Sequence, residues 1–101
     1  MAKRSVDNSV LARWRTTAAS VTLKTLADHA VEDRSFKPLS SRDTSRWHAS
    51  AGGHDFELLC TGPRFFDTRA QRGGGGAVDL AMHLLSIDFR AAAKLLAEKG
   101  L

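Results

Sequence analysis

Four consecutive glycines, at residues 73–76, constrain this chain more than any other stretch. Glycine loses more backbone freedom on folding than any other residue. A packed domain keeps such a run where the backbone needs positive φ or a very close approach to another group. The run follows Phe65-Phe66-Asp67-Thr68-Arg69-Ala70-Gln71-Arg72, a strand-like apolar segment that ends in a basic loop. It leads directly into the helix-forming Ala77-Val78-Asp79-Leu80. Arg64, Arg69 and Arg72 surround it, so the approaching group is expected to be anionic. Backbone N–H groups at a helix N-terminus can cradle phosphate. The run lacks the Lys-Ser/Thr ending of a P-loop and the spacing of a dinucleotide fingerprint. The competing reading is a flexible loop that lets the helix pack closely on a sheet.

Around this run the chain reads as one small α+β domain of 101 residues. Residues 1–8 are expected to form a flexible tail. Residues 9–31 read as helical, in two helices broken near residues 17–20, with Asp7, Asn8 or Ser9 as the first N-cap and Ser20 or Thr22 as the second. Residues 32–44 form a polar connector anchored by Phe36 and Leu39, both expected to be buried. Residues 45–68 read as a three-stranded antiparallel β-meander. In it Arg46 and His48 share one face and Trp47 the other, and Phe56, Leu58 and Cys60 share a face. Residues 73–76 are expected to be a loop. Two helices follow over residues 77–99, the last capped by Asp88 and closed by Gly100. The fold class expected is therefore a three-stranded meander flanked by N-terminal and C-terminal helices, which give the short strands a packing surface.

Composition narrows the function. The formal charge is +4, which suits a nucleic-acid partner. No apolar run approaches the roughly 20 residues needed to span a bilayer, and no apolar segment follows the basic Lys3-Arg4, so neither a membrane span nor a signal peptide is expected. The lone Cys60 excludes an internal disulfide and a cysteine-cluster zinc site. A cytoplasmic location follows from these features. Cys60 alternates with Phe56 and Leu58 and reads as a small core residue. The histidines His29, His48, His54 and His83 fall in four different expected elements and show no ligand spacing, so no metal and no cofactor is expected. No nucleophile–base pattern is visible. Catalysis would need His48 or His83 brought to a carboxylate such as Asp67 or Asp79, and the chain reads as a non-enzyme.

Residues 74–80, Gly-Gly-Gly-Ala-Val-Asp-Leu, and residues 88–96, Asp-Phe-Arg-Ala-Ala-Ala-Lys-Leu-Leu, together with the element order, resemble the end of the zinc-binding domain of bacterial DnaG-type primases. The Arg46-Trp47-His48 strand and residues 61–67 resemble metal-free relatives fused to primases on plasmids and integrative elements. The resemblance runs from about Val21 to Leu96. Thr68 and Gln71 stand where the family places its Cys-x-x-Cys pair, which puts zinc binding aside. The resemblance implies replication or transfer of a mobile element.

The resulting expectation is non-catalytic binding of single-stranded DNA. A basic sheet face bearing an aromatic is the usual platform for unpaired bases. Lys37, Arg42, Arg46, His48, Arg64, Arg69 and Arg72 would hold phosphates, aided by the backbone at Gly74 and Gly75. Trp47, or an exposed member of the Phe65/Phe66 pair, would stack on a base. Trp47 and Phe65 also fit the core. A replication protein such as a polymerase, primase or helicase is a further expected partner. The alternative is a protein-binding adaptor or inhibitor of a replication or defence complex, which an exposed apolar patch on the Val10/Trp14 helix would favour.

Overall fold

The computed structural model describes residues 7–38 and 43–101. Its elements run α1 (Asn8–Thr16), α2 (Ala19–Leu26), β1 (His29–Glu32), β2 (Thr44–Ala51), β3 (His54–Thr61), β4 (Arg64–Asp67), β5 (Arg72–Gly75), α3 (Ala77–Leu85) and α4 (Phe89–Glu98). Among the described residues the strands form a five-stranded antiparallel sheet in the order β1-β2-β3-β4-β5. The three-stranded meander expected from sequence is therefore corrected: β2, β3 and β4 are its strands, and one edge strand is added on each side.

Both additions come from segments without a readable period. The helical region ends at Leu26, where Ala27 turns extended, and residues 29–32 pair with β2 instead of continuing a helix. The expected glycine loop is largely a strand, because Gly73, Gly74 and Gly75 pair with Phe66, Phe65 and Arg64. Of the four glycines only Gly76 has positive φ, at 91°. Gly74 is required for close approach. A Cβ there would sit 3.0 Å from the Asp79 carboxylate and 3.0 Å from the Phe65 ring. At Gly76 a Cβ would in addition meet the Arg15 Cα at 3.3 Å.

The helices begin where capping chemistry allows. Asp7 accepts the Val10 N–H and starts α1. The break to α2 falls at Thr17 and Ala18. Ala18 occupies the N-cap position and offers no side-chain cap, while Thr22 is buried within the helix, so the expected Ser20 or Thr22 cap is not used. Asp88 accepts the Ala91 N–H and starts α4, and Gly100 follows its end at φ 80°. Gly52 and Gly53 both have positive φ and close the two-residue β2–β3 turn, the geometry that matches strand twist.

Two apolar clusters flank α3. Leu80 and Leu84 face the sheet and pack with Leu23, Trp47, Leu58, Cys60 and Phe65. Ala77 and Ala81 face the other way, toward Trp14 of α1 and Ala92, Ala93 and Leu96 of α4. The helices thus cover one side of the sheet, and the opposite side is open. Phe36 is half-buried rather than buried. Leu39 lies outside the described residues.

Candidate functional site

Cross-strand neighbours point to the same side of a sheet, so the register sorts the side chains. Trp47, Ala49, Leu58, Cys60, Phe65 and Asp67 face the helices. Arg46, His48, Glu57, Leu59, Arg64 and Phe66 face the open side. The shared face of Arg46 and His48 is as the alternation implies. Trp47 is 7% exposed, its indole N–H donates to the Ser45 hydroxyl at 2.8 Å, and the Lys24 ammonium lies 5.7 Å from its ring centre. It is a core residue and presents no free ring to a base.

The open face divides into two halves of different charge. Over β2 and β3 the Arg46 guanidinium donates to Glu57 at 2.6 Å and lies 3.9 Å from Asp33. His48 lies 3.6 Å from Glu57 and 4.0 Å from Asp33. Thr68 donates to the other Glu57 oxygen at 2.9 Å. The bond to Glu57 raises the Arg46 pKa. Glu57 is held below the usual carboxylate range by Arg46 first and Thr68 second. Asp33 is lowered chiefly by its bonds from Ser35. Arg46 and His48 are therefore engaged with carboxylates and are poor phosphate ligands.

Over β3, β4 and β5 the face is different. Lys37, Arg64, Phe66, Gly74 and Gly75 line one groove with Phe36, Pro38 and Leu59. Its volume of about 1110 Å³ is at the upper end for ligand clefts, which run to roughly 1,000 Å³. Phe66 is 38% exposed. Gly73 sits opposite it with no side chain, and the Phe66 ring leans over that glycine. Arg69 and Arg72 lie at the far end of the same strand pair and are exposed. Arg72 pairs with Asp67, which places it on the helix side of the edge. Among the described residues Lys37, Arg64, Arg69 and Arg72 have no carboxylate within ion-pair distance. Arg42 lies outside the described residues.

The structure brings together one pair that the sequence named only as a condition for catalysis, His83 and Asp67. His83 of α3 meets Asp67 of β4 at 2.6 Å, with both side chains largely buried. The rings of Phe56 and Phe65 flank His83 at 5.7 and 5.5 Å. The other Asp67 oxygen accepts the N–H groups of Arg69 and Ala70, each at 2.9 Å. Burial alone would raise the Asp67 pKa. The Ala70 N–H, His83 and the Arg69 N–H outweigh it and hold the carboxyl below its ordinary value. The pair ties the basic turn of residues 68–71 to α3. The signal was present in the spacing of Leu80, His83 and Leu84, which puts His83 on the sheet-facing stripe rather than at its edge.

Cys60 is 2% exposed, and burial pushes its thiol pKa up to about 12. The thiolate is the reactive form, so the native protein is expected to resist a maleimide at neutral pH and to label only when unfolded. Rapid native labelling, read by mass spectrometry, would contradict this placement. No group of three or more His, Cys, Asp or Glu among the described residues is placed to hold a metal ion. None of the helices among the described residues is long and apolar enough to cross a membrane.

Comparison with known proteins adds little to this geometry. A stretch of 61 residues, 60% of this chain, is 36% identical to a "65 kDa protein" of Zymomonas mobilis subsp. mobilis, and the match covers 10% of that protein's length. No family model matches the chain, and no solved structure matches it significantly.

Proposed function

We propose that the domain binds single-stranded DNA without catalysing a reaction on it. The observation that carries this reading is the groove over β3–β5, lined by an exposed Phe66 ring together with Arg64 and Lys37, cations that no carboxylate among the described residues neutralises. A base would stack on Phe66, and its flanking phosphates would meet Arg64 and Lys37, with Arg69 in the adjoining turn extending the path. Arg46, His48 and Trp47 drop out of the binding set, because their side chains are committed elsewhere. The primase-domain resemblance supports a role in replication or transfer of a mobile element. The adaptor reading loses the feature expected of it, since Trp14 is buried and Val10 and Leu11 are partly buried.

The test is fluorescence anisotropy with a labelled oligonucleotide across a salt series. Each phosphate contact contributes about 0.7 to the slope of log affinity against log salt for a single strand. Replacing Lys37, Arg64 and Arg69 with Ala is expected to reduce that slope by about two. Phe66→Ala removes stacking of about 1–3 kcal/mol and should weaken binding about tenfold or more. Arg46→Ala should change affinity little. Absence of salt-sensitive binding at low ionic strength, or equal loss in Arg46→Ala and Arg64→Ala, would reject the proposal.

A further inference from the structure

The outer edge of β5 is a second recognition feature, independent of the nucleic-acid reading. β5 pairs with β4 on one side, and among the described residues no strand pairs with its other side. The Gly76 N–H donates to the Pro63 carbonyl at 2.9 Å. Hydrogen-bonded pairs alternate along an antiparallel ladder, so this bond and the printed register make Phe65–Gly74 and Asp67–Arg72 the inward-bonded pairs. The N–H and C=O groups of Gly73 and Gly75 therefore point outward. One of them is occupied, since Asp79 accepts the Gly75 N–H at 3.2 Å. The Gly73 N–H, the Gly73 C=O and the Gly75 C=O remain along an edge with no side chains between Arg72 and Gly76. Both Gly73 and Gly75 are exposed.

Proteins ordinarily blunt such edges with lysine, proline, bulges or a covering element. Here Asp79 and the α1 backbone at Trp14 and Arg15 cover the Gly75–Gly76 end, and the edge at Gly73 stays exposed. The charge around the edge selects its occupant. Arg72 stands at one end, Arg69 lies in the adjoining turn and Arg64 lies opposite Gly75, all without carboxylate partners among the described residues. A second copy added in parallel would set Arg72 against Arg72. An extended acidic segment would pair with Arg64, which reaches across the bare Gly75. Its open-side residues would stand over Gly73 and Gly75, with Phe66 one strand further in.

We propose that the β5 edge receives an extended acidic peptide by strand addition, with backbone bonds to Gly73 and Gly75 and carboxylates on its open-side face meeting Arg64 and, at the turn, Arg69. Strand addition takes its affinity from main-chain bonds and its selectivity from alternate side chains. The occupant competes with DNA for these arginines, so the two are expected to exclude each other.

The probe is a short blocked peptide of alternating Glu and Val, titrated into the isotope-labelled 101-residue protein at low salt. Binding should shift the amides of Gly73 and Gly75 first and protect the Gly73 N–H from hydrogen exchange. Methylating alternate peptide nitrogens, so that one strand edge cannot bond, should weaken binding about tenfold, the loss of two or three hydrogen bonds. Arg64→Glu should weaken the acidic peptide and favour its Lys-for-Glu counterpart. Arg64 is exposed and stands opposite Thr61 and Gly75, away from the Asp67–His83 pair, so this variant tests the charge without testing folding. No binding at low salt would overturn the proposal. So would equal binding of the methylated peptide, or shifts confined to surfaces other than β5. An oligonucleotide titrated in parallel separates the readings. Peptide binding without DNA binding keeps this inference and rejects the DNA reading. DNA binding with no peptide response at Gly73 does the reverse.

Discussion

Asp67→Ala is expected to cost about 3–5 kcal/mol, because a buried carboxylate that holds three hydrogen bonds is lost and its partners are left unpaired. Three groups lose their acceptor at once: the His83 ring and the N–H groups of Arg69 and Ala70. His83 is held between the Phe56 and Phe65 rings, where water reaches it poorly. Domains are commonly stable by about 5–15 kcal/mol in total, so the variant should sit close to unfolding at room temperature. Asp67→Asn keeps an oxygen for the two backbone N–H groups and should cost markedly less. Urea unfolding followed by tryptophan fluorescence measures both. A loss under about 1 kcal/mol in Asp67→Ala would mean the pair is not the tie described.

The same carboxylate gives the protein an acid limit. Its pKa is lowered in the folded state, so the unfolded chain takes up the proton first as pH falls. The stabilisation is complete above the unfolded value of about 3.9 and is lost as pH drops through the lower folded value. Wild-type stability should therefore decline below about pH 4. In Asp67→Asn the part of the decline due to this group should be absent. A pH series of unfolding midpoints shows the difference as a flatter acid limb.

Which parts of this architecture were legible follows from what side chains can signal. The β2, β3 and β4 strands announce themselves by alternation, and α4 by its Asp88 cap and apolar stripe. β1 is four residues long with Val31 exposed on the open face, so it carries no buried–exposed rhythm. β5 is three-quarters glycine and has no side chains from which to read a period. Both strands exist because a neighbour offers a free edge, and that is a tertiary fact. The candidate site was partly readable. The face shared by Arg46 and His48 follows from alternation. Their capture by Glu57 requires the register, which the tight Gly52-Gly53 turn supplies: pairing Ala51 with His54 places His48 opposite Glu57. Phe66 against Phe65 could not be ordered by composition alone. It needed the phase of β4, which is fixed by Cys60 opposite Phe65.

Trp14→Ala carries the other large expected effect, again about 3–5 kcal/mol, because the space it leaves cannot close. The buried residues around Trp14 are Leu96 and four alanines, Ala77 and Ala81 of α3 and Ala92 and Ala93 of α4, with larger side chains such as Leu26 and Met82 only partly buried around them. These alanines bring the helices close, and none has the reach to fill an indole-sized void. Trp14 is 1% exposed, and its indole N–H has no hydrogen-bond partner among the described residues. That unmade bond already weighs against the folded state. Trp14→Phe should therefore cost much less than Trp14→Ala, since it keeps most of the ring contact and removes the unsatisfied donor. The consequence extends to the candidate site. The α1 backbone at Trp14 and Arg15 lies against Gly76, where β5 hands over to α3. Loosening α1 should free that junction and raise hydrogen exchange at Gly75 and Gly76 before the sheet centre at Leu58 responds. Thermal unfolding of the two variants gives the energetic order, and site-resolved exchange gives the spatial one. Equal loss in Trp14→Phe and Trp14→Ala would locate the stabilisation in the indole nitrogen rather than in the filled volume.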